Sequence, residues 1–211
     1  MGSVKNIIPD HVTITSTRQP DALGLGHAIL CAKHLLNQEP FAVLLPDVLV
    51  LDKIENKDFF SFKKMMEAFN RSHVGQVMVE TVEDDDIQNY GVVDTGDERI
   101  RLFHSSPVCG LVEKPKPENA PSNLALLGRY TLPYSIIGCL EETPAGFGGE
   151  IQLTDGLSSL MQMSGLEAFA TDASTFDCGN KLGFIAANLA VSLRDIEARN
   201  FITAIYNKLL Q

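Results

Sequence analysis

The chain reads as an α/β protein with a mostly parallel mixed sheet and a β-hairpin-rich appendage. Three observations predict this class. A continuous apolar run, Phe41-Ala-Val-Leu-Leu45, has the character of a strand buried on both faces of such a sheet. Strand-like and helix-period segments alternate on either side of it. Short β segments and turns then crowd the stretch from Tyr90 to Lys114. At 211 residues the chain fits a single domain, with 195–211 as a closing helix.

The elements follow in order. Residues His11 to Arg18 alternate and are β-branched, so they predict a strand. A turn containing Pro20, Asp21 and Gly24 leads to Leu25, Ile29, Ala32 and Leu36 at helical spacing. The apolar strand 41–45 stops at Pro46-Asp47. An amphipathic helix runs from about Phe60 to Phe69, a strand from Gln76 to Thr81, and Glu83–Asp86 reads as a solvated loop. Turns fall at Thr95-Gly96-Asp97 and Ser105-Ser106-Pro107, and a Pro-rich loop from Pro115 to Pro121 precedes a strand at Ala125–Thr131. A helix over 150–163 opens at a Gly-rich turn, another strand ends at Phe176, and helices span about 181–193 and 195–210. The last carries Phe201, Ile202, Ile205, Tyr206, Leu209 and Leu210 as a broad apolar stripe. That stripe either packs on the core, the commoner fate, or mediates a homo-oligomer.

Composition narrows the function. The chain is 45% hydrophobic and 21% charged, and its densest apolar run, Phe41 to Leu51, is interrupted by Pro46 and Asp47, short of a membrane span. The first residues, Met1-Gly2-Ser3 onward, lack the basic flank and apolar core of a signal peptide. Cys31, Cys109, Cys139 and Cys178 form no CxxC pair, which argues against structural zinc and for reduced thiols in the cytoplasm. A formal net charge of −10 argues against nucleic acid or an anionic membrane as the main partner. Any phosphate site on such a surface must be made locally positive by lysines, helix N-termini or a divalent cation.

Several motifs could carry chemistry. Asp47 follows a strand directly, where open α/β sheets bind ligands, so it either ligates Mg²⁺ or caps a turn after Pro46. Gly24-Leu25-Gly26-His27-Ala28 opens a helix after Gln19; its glycines let backbone approach a flat ligand, or simply make a turn. In Val112-Glu113-Lys114-Pro115 a carboxylate suited to sugar hydroxyls sits beside an ammonium suited to a phosphate, although surface Glu-Lys pairs are common. Glu150 opens Glu150-Ile-Gln-Leu-Thr-Asp155 beside Gly148 and Gly149. Asp177, in Phe176-Asp177-Cys178-Gly179-Asn180, is a second strand-end aspartate able to share a metal with Asp47.

The ordered set GLGHA, LPDV, YGVVD, VEKP, SNLALLGRY, GGEIQLTD and FDCGNKLG resembles bacterial glucose-1-phosphate uridylyltransferases from about Ile8 to about Leu193. EIQLTD and DCGNKLG are the most specific, and related thymidylyltransferases look different there. The resemblance implies a Rossmann-like nucleotide-diphosphosugar transferase fold that joins UTP and glucose 1-phosphate into UDP-glucose and pyrophosphate. By motif, Gln19 and Gly24 would contact uracil, and Asp47 and Asp177 would hold Mg²⁺. Gly91, Glu113 and Glu150 would line the glucose, and Lys114 would meet the sugar phosphate; Lys114 and Asp47 would be the catalytic pair. The family begins with a strand and a Gly-rich loop bearing Arg and Lys. No such segment precedes Ile8, so the expectation is an N-terminally truncated member; Leu23 also stands where the family usually has Lys. The alternatives are a non-catalytic sugar-nucleotide-binding or interaction protein derived from the family, or a sibling enzyme using another base or sugar.

Overall fold

A nine-residue strand, Leu124–Leu132, organises the fold, with the other strands arranged along its two edges. The structure, a computed structural model, describes residue 9 and residues 11–53, 60–96 and 99–209. In chain order its strands are β1 (Phe41–Leu44), β2 (Val48–Leu51), β3 (Gly75–Thr81), β4 (Gly91–Asp94), β5 (Ser105–Pro107), β6 (Gly110–Glu113), β7 (Leu124–Leu132), β8 (Leu166–Ala170) and β9 (Ser174–Asp177). The helices are α1 (Leu25–Ala32), α2 (Ser61–Ser72), α3 (Ile136–Glu142), α4 (Leu153–Ser164), α5 (Lys181–Ser192) and α6 (Ile196–Leu209).

Six strands run β5-β8-β3-β7-β4-β6, and β1 pairs with β7 as a seventh; β2 and β9 form a separate antiparallel ribbon. One edge of β7 is filled by β3. The other is shared: β4 pairs with Leu124 and Ala125, whereas β1 pairs with residues 129–132. Between them Leu126, Leu127 and Gly128 face neither partner on that edge, so the C-terminal end of β1 and the start of β4 diverge around a gap. A ligand crevice belongs at such a divergence in α/β sheets.

Helices cover both faces. Ile29 of α1, Ile136, Ile137 and Leu140 of α3, and Leu157 and Leu160 of α4 pack with Val77 and Val79 of β3. On the other face Met65 and Ala68 of α2 meet Met78, Leu127 and Phe169, with Val50 of the ribbon against them. Each large side chain buried there contributes roughly 1.5–3 kcal/mol. The helical period of α2 is what puts Met65, Ala68 and Phe69 on one buried face.

The α/β reading holds, with corrections. Residues 11–18 form no strand: all are exposed, and no ladder partner lies among the described residues. Alternating β-branched residues make a strand only where an edge accepts them. The run from Phe41 is not buried on both faces; β1 alternates half-buried and exposed, with Leu44 at 52% exposure, because it pairs on one side with β7 alone among the described residues. The sheet is mixed rather than mostly parallel: β3–β8 is parallel, and the pairings around β7 and in the β4–β6 hairpin are antiparallel. Ser105–Pro107 is a strand on β8, not a turn, with Pro107 at the sheet's edge. Glu83–Asp86 runs into a 3₁₀ helix over Asp84–Asn89. The helix expected from 150 begins at Leu153.

Helix α3 and strand β8 lie where no element is expected from the sequence. In the turn after Asp94, Gly96 adopts φ 63° and donates its N–H to Asp94 Oδ1 at 2.8 Å; Asp97 lies outside the described residues, as do Met1-Gly2-Ser3, Ile8 and Leu210. No described residue of α6 is buried, and Phe201 and Leu209 stand 66% and 79% exposed. No helix among the described residues is long and apolar enough to cross a membrane.

Candidate active site

The gap on β7 opens into a cavity of about 190 Å³ lined by residues from both sheets. One wall is the β4–β6 hairpin. Register places Gly91 directly opposite Glu113, and the Lys114 N–H donates to the Tyr90 carbonyl at 3.0 Å, closing the hairpin end. A Cβ on Gly91 would lie 2.9 Å from Leu126 Cδ1 and 3.1 Å from both Glu113 Oε2 and Thr154 Oγ1, so only glycine leaves this wall open. Thr154, buried in the first turn of α4, donates its hydroxyl to Glu113 Oε2 at 2.5 Å. One carboxylate oxygen is thereby fixed while Oε1 lies 3.9 Å from Lys114 Nζ.

The opposite wall is built by the ribbon. Val48 pairs with Asp177, and the Cys178 N–H donates to the Asp47 carbonyl at 2.6 Å, so the two expected metal ligands are brought side by side. A Cβ at Gly179 would sit 3.0 Å from Asp177 Oδ1 and 3.4 Å from Asp47 Oδ2; both carboxylates border the space that glycine leaves. Asp177 is oriented by two donors, Gly179 N–H to Oδ1 at 2.8 Å and the Asn180 amide to Oδ2 at 2.9 Å. Asn180 also caps α5, accepting the Gly183 N–H at 2.7 Å.

Asp47 is held through its backbone. Arg129 of β7 donates to the Leu45 carbonyl at 2.9 Å and also to the Val48 carbonyl, gripping the turn on both sides of the aspartate. Gly128 adopts φ 63°, and a Cβ there would come within 2.8 Å of Leu45, so the preceding glycine admits that turn. Burial lowers the Arg129 pKa, and the nearby Asp47 charge opposes the shift. Burial is also the main cause raising the Tyr90 phenol, with Glu80, Asp86 and Asp177 adding to it.

A third group closes the rim. Leu23 and Gly26 exchange backbone hydrogen bonds with Ile151 at 2.8 and 2.9 Å, stitching the Gly-rich turn to the start of the EIQLTD segment. Gly24, at φ 94°, is needed because a Cβ would lie 2.7 Å from the Ile151 carbonyl and 2.8 Å from Glu150 Cβ. The glycines thus admit another backbone, a reason that does not require a flat ligand. Gln19 donates its amide to the Gly24 carbonyl at 3.0 Å and approaches His27 Nδ1 at 2.9 Å. Glu150 accepts from the Gln152 amide at 2.9 Å, and Leu25 and Gln152 carry this group to the cavity wall.

Gly91, Glu113 and Asp177 therefore line one cavity, with Asp47 beside Asp177; Lys114 flanks Glu113, and Gln19, Gly24 and Glu150 lie together near its wall. The motifs do not single out Thr154, Arg129 or Asn180, which hold the candidate residues, or Glu80, which lines the cavity. Thr154, Arg129 and Asn180 stand inside EIQLTD, LLGRY and DCGNKLG, but spacing alone does not show what they grip. Replacing Thr154 by Val keeps the shape and removes the donor to Glu113. If Glu113 receives a sugar hydroxyl, KM for the sugar phosphate should rise about tenfold, the ~1.4 kcal/mol of a misplaced acceptor, in steady-state assays.

Burial also raises the pKa of Glu80, a cavity-lining carboxyl, above its ordinary 4.5, and a hydrogen bond from Thr175 opposes the shift. An acid whose folded pKa is raised stabilises the fold least when ionised, so that stability is present below pH 4.5 and is lost as pH climbs through the raised value. Glu80→Gln should therefore gain thermal stability over the parent chain as pH rises from about 4.5 through the raised value, as read by melting curves across pH. A Tm difference independent of pH would contradict it.

Comparison with known proteins gives this geometry its family. The nucleotidyl transferase family model matches residues 3–192. The chain is 43% identical over 194 residues to a UTP–glucose-1-phosphate uridylyltransferase of Haemophilus ducreyi, covering 92% of this chain and 66% of that protein. The UTP-bound UGPase from Acinetobacter baumannii superposes with a TM-score of 0.85 at 41% identity, over 96% of this chain and 68% of that one. A UDP-glucose pyrophosphorylase complexed with UDP-glucose superposes with a TM-score of 0.77 at 34% identity, over 84% and 65% of the two chains. The alignments with the curated relatives from Haemophilus ducreyi, Haemophilus influenzae and Escherichia coli span 64–66% of their lengths. A divided β7 edge, two strand-end aspartates beside the crevice and a family match over most of its length all agree: the chain belongs to the nucleotidyl transferase family.

Proposed function

We propose that the chain forms UDP-glucose and pyrophosphate from UTP and glucose 1-phosphate, in the cytoplasm, with Mg²⁺ as its metal. The observation that carries this reading is the convergence of Asp47 and Asp177 around Gly179, across one crevice from the Gly91–Glu113 pair. The uridylyltransferase relatives and the UTP-bound and UDP-glucose-complexed neighbours support the substrates. Its four cysteines, unbridged, suit a reducing compartment.

The donor set fits Mg²⁺. Asp47 and Asp177 offer hard carboxylate oxygens, and no cluster of three or more His, Cys, Asp or Glu competes among the described residues. Mg²⁺ is commonly held by one or two carboxylates together with substrate phosphates. When bound, it would add positive charge at the phosphates, offsetting the chain's net charge of −10.

The protein's own share is alignment. Gly91 leaves room for the sugar ring, Glu113 and Glu150 accept its hydroxyls, and Thr154 holds Glu113 in place. Lys114 sets its ammonium beside the sugar phosphate, while Gln19 and Gly24 face the uracil. A sugar-phosphate oxygen then attacks the α-phosphorus of UTP in line, the bond to the bridging oxygen breaks, and pyrophosphate leaves. Fixing both substrates can supply roughly 7–11 kcal/mol of the barrier reduction.

The test is pyrophosphate release by the purified chain with Mg²⁺, glucose 1-phosphate, and either UTP or dTTP. Release with UTP, and much less with dTTP, is the expected result. UDP-glucose binding without any release would overturn the catalytic reading in favour of a sugar-nucleotide-binding protein.

A further inference from the structure

The β2–β9 ribbon carries the aspartate side of the crevice, yet it belongs to a different sheet from the strands that carry Gly91 and Glu113. Transfer between two bound substrates requires these walls to hold a constant separation. Arg129 reaches from β7 to the Leu45 and Val48 carbonyls and so anchors the entry to β2. On β9 the corresponding link is Thr175, whose hydroxyl donates to Glu80 Oε1.

The positions of both partners are set by strand geometry. Glu80 follows Met78 by two residues on β3 and so shares its face, the one against which Val50 of the ribbon packs. Thr175 precedes Asp177 by two residues on β9, so their side chains share a face, and both line the cavity together with Glu80. A contact at Thr175 therefore acts on the strand that aims Asp177.

We propose that Glu80 is a positioning residue: through Thr175 it fixes the aspartate-bearing ribbon against the main sheet and so sets where Asp177 meets the sugar wall. Glu80 itself need not touch the reacting atoms. The kinetic half of this inference rests on the nucleotidyl-transfer reading above, whereas the structural half does not.

Four variants of the chain separate the possibilities. Thr175→Val and Glu80→Ala remove the tie; Thr175→Ser and Glu80→Gln keep a hydroxyl donor and an oxygen acceptor. Hydrogen–deuterium exchange over residues 48–51 and 174–177 reads the ribbon, with residues 75–81 as the internal control. The tie-breaking variants should exchange about tenfold faster in the ribbon and hardly differ in the control. They should also lower kcat about tenfold while KM for glucose 1-phosphate stays within about twofold, and the conservative variants should recover most of both effects. Unchanged ribbon exchange would overturn the tie, and a loosened ribbon with unchanged kcat would overturn the positioning role. Absence of turnover in the parent chain would count against the proposed reaction, and the exchange measurements would still decide the tie.

Discussion

Alanine at Asp177 is expected to lower pyrophosphate release by about a thousandfold or more while leaving the melting temperature almost unchanged. Its side chain is exposed, so little packing is lost; what disappears is half of the carboxylate pair around Gly179. The Gly179 N–H and Asn180 amide that now orient it can turn to water instead. Asp47→Ala should behave alike, since Arg129 holds the Asp47 turn through the Leu45 and Val48 carbonyls and would keep its shape. On the proposed reading both carboxylates would hold one ion and act as a unit, so the double variant should be scarcely worse than the poorer single one. Initial rates with UTP and glucose 1-phosphate, paired with calorimetric Mg²⁺ titration, check both points. More than a tenth of parental activity in either single variant would dismiss the shared-metal assignment.

That pairing shows what a sequence can convey about such a site. Asp47 and Asp177 are recognisable one by one, because each reads as a strand-end aspartate and each stands in one of the motifs. Their meeting depends on the Val48–Asp177 register, a long-range pairing that no local pattern encodes. The same limit explains the fold. Helix α2 is legible because its buried face repeats at the helical period, and strand β3 because Val77-Met78-Val79 is a short apolar run, buried throughout. The region 11–18 has an equally good strand pattern and no ladder partner among the described residues, whereas Ser105–Pro107 reads as a turn and is recruited by β8. In each case the neighbour, not the segment, decides.

The glycines of the Asp-Cys-Gly-Asn-Lys-Leu-Gly segment make the strongest structural demand. A Cβ on Gly183 would lie 1.9 Å from the Asp177 carbonyl oxygen and 2.8 Å from its carbon, both backbone atoms that no rotamer change can move. Helix α5 would have to lift away from β9, and its cap from Asn180 to the Gly183 N–H would stretch or break. Overpacking of this kind costs roughly 1–3 kcal/mol and a lost cap about 1 kcal/mol, against at most ~1 kcal/mol gained from alanine's helix propensity. Gly183→Ala should therefore lower the melting temperature by about 2–12 °C, at roughly 2–4 °C per kcal/mol for a chain this size. Activity should fall with it, because Asp177 is the residue displaced. Gly138 supplies the control: it is exposed in α3, nothing lies within 4 Å of its would-be Cβ, and Gly138→Ala should stabilise by about 0.5–1 kcal/mol. Differential scanning calorimetry of the two variants side by side reads opposite signs if α5 is seated on Asp177 as described; equal shifts would mean that the helix has room to spare.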